Sequence, residues 1–219
     1  MLSLLTTFFY PKTEERLKEF EYCFNINIQN KYINKITVFA ELKEFTDIPY
    51  FMKHKKINVI KFNKRPMYSD FFLYARENIP FNENVIISNT DIYFDHTLDL
   101  LKYIDLKNTL ICLTRRNLDS DGKFSLQGCG DSHDAWIFKN PISFNDTDIY
   151  IGISGCDSWL AKKAIDNGIN VINPCLELFA NHVHFCEERN SLLEDGKRYW
   201  DFPGYDSGLR IPFDFLRKG

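Results

Sequence analysis

The sequence predicts an α/β fold, with a mostly parallel central sheet flanked by helices. Short apolar runs rich in Val, Ile and Phe alternate along the chain with segments whose apolar residues recur every three or four positions. This alternation is typical of strands connected by helices. A chain of 219 residues with 44% hydrophobic residues is long enough for one domain with a sizeable core. We therefore expect residues 1–219 to form a single domain.

The first half of the chain supplies most of the predicted strands and helices. Apolar runs predict strands at residues 2–10, 36–40, 57–62, 85–87 and 109–114, and helical spacing predicts helices from residue 14 onwards, over 68–78 and over 98–103. Thr13 is placed to cap the first helix, because its hydroxyl can accept a hydrogen bond from an unpaired backbone N–H. That helix should bury an apolar stripe formed by Leu17, Phe20, Phe24 and Ile28.

The second half is less regular. Residues 119–133 (DSDGKFSLQGCGDSH) are polar and glycine-rich, so we expect a loop long enough to act as a lid. Apolar alternation predicts strands at residues 134–138 and from 149 up to Gly155-Cys156-Asp157. A helix over 159–167 should stop at Gly168, and a short strand should follow at 171–174. Residues 198–219 are rich in Pro, Gly and aromatic residues and are expected to be irregular.

Composition excludes several classes of protein. A net charge of −3 argues against a dedicated nucleic-acid binder, which needs a basic surplus. The chain has neither G-x-G-x-x-G nor a P-loop motif, which disfavours dinucleotide oxidoreductases and Walker ATPases.

The compartment follows from the apolar segments and the cysteines. No segment approaches the ~20 apolar residues of a membrane span, and residues 1–10 lack the flanks of a signal peptide. The six cysteines form no C-x-x-C pair, and Cys112 and Cys175 resemble small core residues. We therefore expect a soluble protein of the reducing cytoplasm, without a membrane span.

A polar segment directly after a buried strand is the strongest sign of a functional site. Val85-Ile86-Ile87 is followed by Ser88-Asn89-Thr90-Asp91, and ligands of open α/β sheets collect beyond the carboxyl ends of strands. In extended backbone, Asn89 and Asp91 point to the same side, about 6–7 Å apart. An amide oxygen beside a carboxylate suits a hard divalent cation that also holds phosphates. The alternative is a simple turn, with Asp95 capping a helix that begins near His96.

Five short motifs together resemble the small GT-A glycosyltransferases of bacteria and large DNA viruses, such as the chlorovirus type. They are N-T-D at 89–91, D-A-W-I-F at 134–138, G-C-D-S-W-L-A at 155–161, N-P at 173–174 and H-V-H at 182–184. The resemblance runs from Phe8 to about Arg189. It implies a GT-A-like domain with a donor-binding half at about 1–115, an acceptor-side half at about 116–190 and an irregular tail at 191–219.

The resemblance also implies an activity. Such enzymes move a sugar, here a hexose or deoxyhexose, from a nucleotide donor to a glycan or glycoconjugate acceptor. A UDP-sugar is the expected donor, and the host cytoplasm is the expected location if the protein is viral. Two alternatives stay open: a catalytically weak glycan- or nucleotide-sugar-binding module, and a nucleotidyltransferase. The second commonly has a basic, glycine-rich loop near the first strand, which Phe8-Phe9-Tyr10-Pro11 does not resemble.

A metal site is implied by the same resemblance. Residues 89–91 match a D-x-D-like motif that binds Mn²⁺ or Mg²⁺ in this family, with Asn89 in place of the first acid. Asp91 is then the main ligand, with Asn89 beside it. His184 matches a further histidine ligand, and His182 is the second choice. Mixed imidazole and carboxylate ligands favour Mn²⁺.

Catalytic and donor-binding residues are implied as well. Asp157 matches the acceptor-side carboxylate and Asp134 is a second candidate, either as a base for an inverting reaction or facing the anomeric carbon in a retaining one. The expected donor-binding residues are Thr6, Phe8, Tyr10, Arg65, Arg76, Asn89, Thr90 and Asp91.

Each of these side chains also has a plain structural interpretation. Asp157 could cap a helix that starts at Ser158, and Asp134 could form a salt bridge with Arg115 or Arg116. Ordinary surface or core roles stay open for His182, His184, Arg65, Arg76, Trp136 and Trp159.

Overall fold

The computed structural model describes residues 1–42, 47–119, 121–128, 130, 132–186, 192–193, 195–203, 205 and 209–213. The strands are β1 (Leu2–Phe9), β2 (Lys35–Glu41), β3 (Ile57–Phe62), β4 (Asn84–Ser88), β5 (Ile92–Phe94), β6 (Thr109–Leu113), β7 (Arg115–Leu118), β8 (Phe124–Leu126), β9 (Ala135–Lys139), β10 (Asn170–Ile172) and β11 (Ala180–Val183). The α-helices are α1 (Glu14–Gln29), α2 (Tyr68–Asn78) and α3 (Cys156–Asp166), and 3₁₀ segments lie at Tyr50–Met52, His96–Tyr103 and Tyr199–Asp201.

A seven-stranded sheet forms the centre of the molecule, in the order β10-β6-β9-β4-β1-β2-β3. All its neighbouring strands are parallel except β9, which runs antiparallel to β4 and β6. Successive residues of a strand face opposite sides, so Leu4 packs in the cluster that contains Phe20 and Phe24 of α1, while Leu5 packs with Phe71 of α2. The predicted α/β fold, with a largely parallel sheet between helices, is confirmed.

A second, four-stranded sheet continues from the carboxyl ends of β4 and β6, in the order β5-β11-β7-β8. Only residues 89–91 separate β4 from β5, and only Thr114 separates β6 from β7. Strand β11 pairs antiparallel with β5 and parallel with β7. The junction of the two sheets therefore collects polar side chains from several distant parts of the chain.

Local signals were predicted well. The predicted strand at 57–62 and the helix at 68–78 have the observed bounds. Thr13 accepts a hydrogen bond from the Arg16 backbone N–H (3.4 Å), and Asp95 accepts one from Thr97 (2.9 Å), so both predicted caps are confirmed. Trp136, Cys112 and Cys175 are buried in the core, whereas Cys129 lies outside the described residues.

Three predictions about the second half were wrong. Residues 119–133 are not entirely loop, because β8 forms a hairpin with β7; residues 120, 129 and 131 lie outside the described part of the chain. The predicted strand from residue 149 is absent from this fully described segment, where Tyr150 forms only an isolated bridge with Met67. Helix α3 begins at Cys156, three residues earlier than predicted.

The tail contains more structure than its composition suggests. Tyr199–Asp201 forms a 3₁₀ turn, Ile211 is buried in the core, and Phe213 forms a parallel bridge with Asn173. Predictions for residues 191, 194, 204, 206–208 and 214–219 lie outside the described residues. Across the described residues, no helix combines the length and apolar character that crossing a bilayer requires.

Candidate active site

A cleft of about 660 Å³ opens at the junction of the two sheets. Its lining includes six of the residues predicted for the site, namely Arg65, Asn89, Thr90, Asp91, Asp134 and Asp157. The Thr90 hydroxyl fixes the segment after β4 by donating to the Thr7 carbonyl (2.9 Å). The predicted position of the site, beyond the carboxyl end of a central strand, therefore agrees with the location of the cleft.

Asp91 is the centre of a buried charge network. Its Oδ2 accepts hydrogen bonds from Arg16 Nη2 at 2.5 Å and faces His182 Nε2 at 3.1 Å. Burial alone would raise the pKa of Asp91, but the neighbouring His182 and the Arg16 guanidinium outweigh burial and hold that pKa well below its usual range. The carboxylate is thus fully ionised at neutral pH.

Arg16 and Glu19 belong to this network and were missed by the sequence analysis. The Arg16 guanidinium pairs with the Glu19 carboxylate, which also accepts backbone N–H bonds from Phe185 and Cys186. Both side chains are buried on the face of α1 that carries Phe20. The sequence did contain a sign that Arg16 is buried: residues 16 and 20 are one helical turn apart, so Arg16 shares a face with the apolar Phe20.

His182, rather than His184, lies against Asp91. The parallel pairing of β11 with β7 places His182 opposite Asn117, and His182 Nδ1 lies 3.0 Å from the Asn117 Oδ1. An amide oxygen can only accept, so Nδ1 can donate to Asn117 while Nε2 is directed at the Asp91 carboxylate. The His184 ring lies 5.5 Å from the His182 ring and is not among the described residues that line the cleft.

Asp134 forms the salt bridge that was considered as the alternative to catalysis. Its Oδ2 accepts from Arg115 Nη1 (3.0 Å) and its Oδ1 accepts from Asn89 Nδ2 (2.8 Å). Both oxygens therefore hold neighbouring side chains. The same contact explains the amide at position 89, since an aspartate there would face the Asp134 carboxylate without a proton to donate.

Asp157 is a cleft carboxylate whose pKa is raised. It lies in the first turn of α3, after the N-cap residue Gly155, and accepts a hydrogen bond from the His133 backbone N–H (2.8 Å). Burial raises the pKa of Asp157 to about 7, with a smaller contribution from Asp134 in the same direction. The helix-cap interpretation was wrong in its details, because the helix starts at Cys156.

The three donor-binding residues predicted near the first strand are not among the described residues that line the cleft; Thr6 and Phe8 belong to β1, and Tyr10 follows its last residue. Thr6 donates to the Ser88 carbonyl (2.9 Å), Phe8 is fully buried against Phe20 and Phe51, and Tyr10 donates to the Asp47 carbonyl (2.7 Å). The residues of β1 that line the cleft are Thr7 and Phe9. Side chains alternate along a strand, so selecting even instead of odd positions moves the whole set to the other face.

Of the two arginines predicted to bind the donor, one lies at the cleft and the other does not. Arg65 lines the cleft, with its Nε 3.9 Å from the Glu41 carboxylate. Arg76 lies on the exposed side of α2 and is not among the described cleft residues. Of the two, only Arg65 can reach a ligand in the cleft.

Asp91 and His182 are the two described side chains that could hold a divalent cation at the predicted position. No group of three or more His, Cys, Asp and Glu side chains within the described residues is arranged to hold a metal ion. The Asp91 oxygen and His182 nitrogen are 3.1 Å apart, close to the ~3 Å that separates adjacent ligands of an octahedral ion. Asn117 orients the ring as an outer hydrogen-bond partner does in metal sites. Arg16 shares the same carboxylate oxygen, so a cation would compete with it.

The sheet order and the cleft at the carboxyl ends of the strands belong to a GT-A-like fold, as comparison with solved structures shows. No protein-family model and no curated protein matches the sequence. Three solved structures share the fold at 10–13% identity and cover 85–86% of this chain. Similarity at this level of identity establishes the fold.

The three structures come from larger proteins. They are TarS residues 1–349 of S. aureus with UDP-GlcNAc (TM-score 0.57, 12% identity), GalNAc-T7 with UDP, GalNAc and Mn²⁺ (0.56, 10%), and the mannosyltransferase PcManGT of Pyrobaculum calidifontis with GDP-Man and Mn²⁺ (0.55, 13%). The alignments cover 60%, 44% and 58% of those chains, respectively. This chain thus spans about half the length of the proteins that it resembles.

Proposed function

We propose that the protein is a glycosyltransferase that moves a sugar from a nucleotide donor, most simply a UDP-sugar, to a glycan or glycoconjugate acceptor. The observation that carries the proposal is the convergence, in one cleft, of the Asp91–His182 pair and Asp157. The Asp91–His182 pair could hold a cation that binds the charged leaving group, and Asp157 can accept a proton. An inverting sugar transfer from a nucleotide donor can use both.

The donor diphosphate would lie beside Asp91 and His182. These two residues would hold Mn²⁺ or Mg²⁺, and a bound ion would offset the negative charge that develops on the departing diphosphate. Arg65 can pair with phosphate oxygens, since a guanidinium binds them in two-point geometry. Asn89, fixed by Asp134, and Thr90, fixed by Thr7, keep the loop that carries Asp91 in place.

The acceptor hydroxyl would be activated by Asp157. As the acceptor oxygen bonds to the anomeric carbon, the bond to the diphosphate breaks and the hydroxyl proton passes to the Asp157 carboxylate. A pKa of about 7 suits this role, because the group is substantially ionised at neutral pH and still basic enough to take a proton. Asp134 positions Asn89 and Arg115 instead of reacting.

The first experiment is a thermal-shift screen of UDP, GDP, CMP and ATP, each with and without Mn²⁺. A ligand that binds only the folded protein adds roughly 2.7 kcal/mol of stability at a hundredfold excess over its dissociation constant. We expect an Mn²⁺-dependent shift with one nucleoside diphosphate, its loss in Asp91→Asn, and its retention in the control Asp166→Asn, which alters an exposed salt bridge.

Turnover then distinguishes an enzyme from a binding module. UDP release from a UDP-sugar, dependent on an added saccharide acceptor and lost in Asp157→Asn, supports the transferase. A nucleotide-dependent shift without release from any donor would leave only binding. No shift with any of the four nucleotides would overturn the proposal.

A further inference from the structure

The tail of the chain, which the motifs of the first 189 residues do not cover, builds one wall of the cleft. Trp200 and Tyr205 line the cleft that Asp157 also lines. We call these two residues the aromatic wall. Its position beside the proposed base raises the question of what it binds.

The aromatic wall is fixed directly to the start of α3. The Tyr199 backbone N–H donates to the Ser154 carbonyl (2.9 Å), and the Tyr199 hydroxyl accepts from the Tyr150 backbone N–H (2.7 Å). Gly155 allows this close approach. Its φ is +87°, and a Cβ at this position would lie 3.2 Å from the Tyr205 ring and 3.3 Å from the Trp200 backbone nitrogen. The tail therefore packs two residues away from Asp157, at a position that requires glycine.

The two rings of the aromatic wall have different environments. Tyr205 is braced by Trp159, whose ring stacks on it with centroids 5.7 Å apart and an interplanar angle of 15°. Trp200 keeps 47% of its surface exposed, with the Arg198 guanidinium 5.0 Å from its ring. A large indole held open at the rim of a cleft is a surface on which a flat, partly apolar ligand can stack.

We propose that the aromatic wall is the acceptor subsite and that its ligand is a saccharide, whose apolar C–H face stacks on Trp200 and Tyr205. A sugar ring offers an apolar face to the indole while its hydroxyls remain directed into the polar cleft, where Asp157 can accept a proton. The inference rests on the proposed function, which places the donor diphosphate at Asp91 and His182 and leaves the side next to Asp157 to the acceptor.

The test compares Trp200→Ala, Trp200→Phe and a control, Phe81→Ala, which removes a ring that is 73% exposed and outside the cleft lining. With saturating donor, Trp200→Ala should raise the acceptor KM roughly tenfold, Trp200→Phe should restore most of the affinity, and Phe81→Ala should have no effect. The donor KM and the nucleotide thermal shift should stay unchanged in all three, because the proposal places the donor at Asp91 and His182 and not at Trp200.

A binding measurement separates this inference from the proposed function. Titration of the donor-free protein with a panel of oligosaccharides should quench tryptophan fluorescence in the wild type and the Phe81→Ala control, but not in Trp200→Ala. Quenching without turnover would keep the saccharide subsite and reject the transferase. Turnover with an acceptor KM unchanged in Trp200→Ala, or a loss of UDP binding in that variant, would overturn the subsite and keep the transferase.

Discussion

Replacing Arg16 with Met tests the charge network most directly. The change removes the guanidinium that binds Asp91 and Glu19 while keeping most of the side-chain volume against Phe20, over which the guanidinium lies at 4.8 Å. The Arg16 side chain is only 8% exposed, so solvent cannot replace the lost partner. Breaking a buried ion pair costs about 3–5 kcal/mol because it leaves an unpaired buried charge.

The remaining partners set the expected magnitude. Asp91 keeps His182, and Glu19 keeps its backbone N–H partners at 185 and 186. The loss should therefore lie near 3 kcal/mol, the lower end of that range, or a fall in Tm of roughly 6–12 °C for a domain of this size.

The sign of the pH dependence follows from Asp91. The pKa of Asp91 is depressed in the folded protein, so ionised Asp91 stabilises the fold at any pH above its ordinary pKa. This stability is lost progressively as the pH falls below that ordinary value. Arg16→Met should therefore lose less stability than the wild type on acidification.

Thermal denaturation in EDTA and in Mn²⁺ measures the effect. Because Arg16 and a cation compete for one Asp91 oxygen, Mn²⁺ should raise the Tm of Arg16→Met more than that of the wild type. Lys162→Met, in the exposed pair with Asp166, is the matched control and should change stability by under about 0.5 kcal/mol. A loss below about 1 kcal/mol in Arg16→Met, or equal Mn²⁺ shifts in both proteins, would refute this reasoning.

Three further substitutions probe the rest of the cleft. Asp157→Asn should lower kcat by about 10²–10⁴ and remove a rise in activity near pH 7. Because the pKa of Asp157 is raised in the folded protein, the wild type should lose up to about 1.4 kcal/mol of stability per pH unit as the pH rises from ~4 to ~7, and the variant should not show this loss. Asn89→Asp should cost roughly 1–3 kcal/mol at neutral pH through repulsion from Asp134, and Mn²⁺ should restore part of it. His182→Ala should abolish the Mn²⁺-dependent nucleotide shift, whereas His184→Ala should retain it.

Each of these predictions has a contrary result. An unchanged pH profile in Asp157→Asn would exclude it as the base. Equal stability of Asn89→Asp and the wild type, measured by urea denaturation in EDTA, would show that the contact with Asp134 contributes nothing. A larger loss of Mn²⁺ response in His184→Ala than in His182→Ala would restore the assignment made from the sequence.

The parts of the fold that depend on local chemistry could be predicted. Helix α2 and strand β3 have their expected bounds because apolar spacing and flanking turn residues are properties of short segments. The caps at Thr13 and Asp95 are equally local. The position of the cleft followed from a general property of α/β sheets, applied to the residues after β4.

The partners of the buried charges could not be predicted, because they depend on tertiary contacts. Arg16 and Asp91 are 75 residues apart, and the sequence offers no reason to pair them over any other acid and base. The choice between His182 and His184 is similar: residues two apart lie on the same face of a strand, and only the pairing of β11 with β5 and β7 decides which reaches Asp91.

The false strand near residue 150 has a different cause. Ile149, Ile151 and Ile153 alternate and are all buried, as the pattern requires. Their backbone nevertheless passes over the core as a series of turns. Among the residues that the structure describes, its one strand-like pairing is the bridge from Tyr150 to Met67. Alternating burial is therefore necessary for a half-buried strand but does not create the ladder of hydrogen bonds.

The distance along the chain between Glu19 and its backbone partners has a consequence for synthesis on the ribosome. Glu19 is fully buried, yet its carboxylate binds N–H groups at residues 185 and 186, which emerge 166 and 167 residues later. A nascent chain can assemble β1 to β4 early, together with the contacts of Arg16 to Glu19 and Asp91. The remaining partners of the two carboxylates, His182 and the N–H groups at 185 and 186, arrive only with β11 and the residues after it. The cleft is then the last region to consolidate, so a chain released before residue 180 should fail quality control even though its central strands are complete.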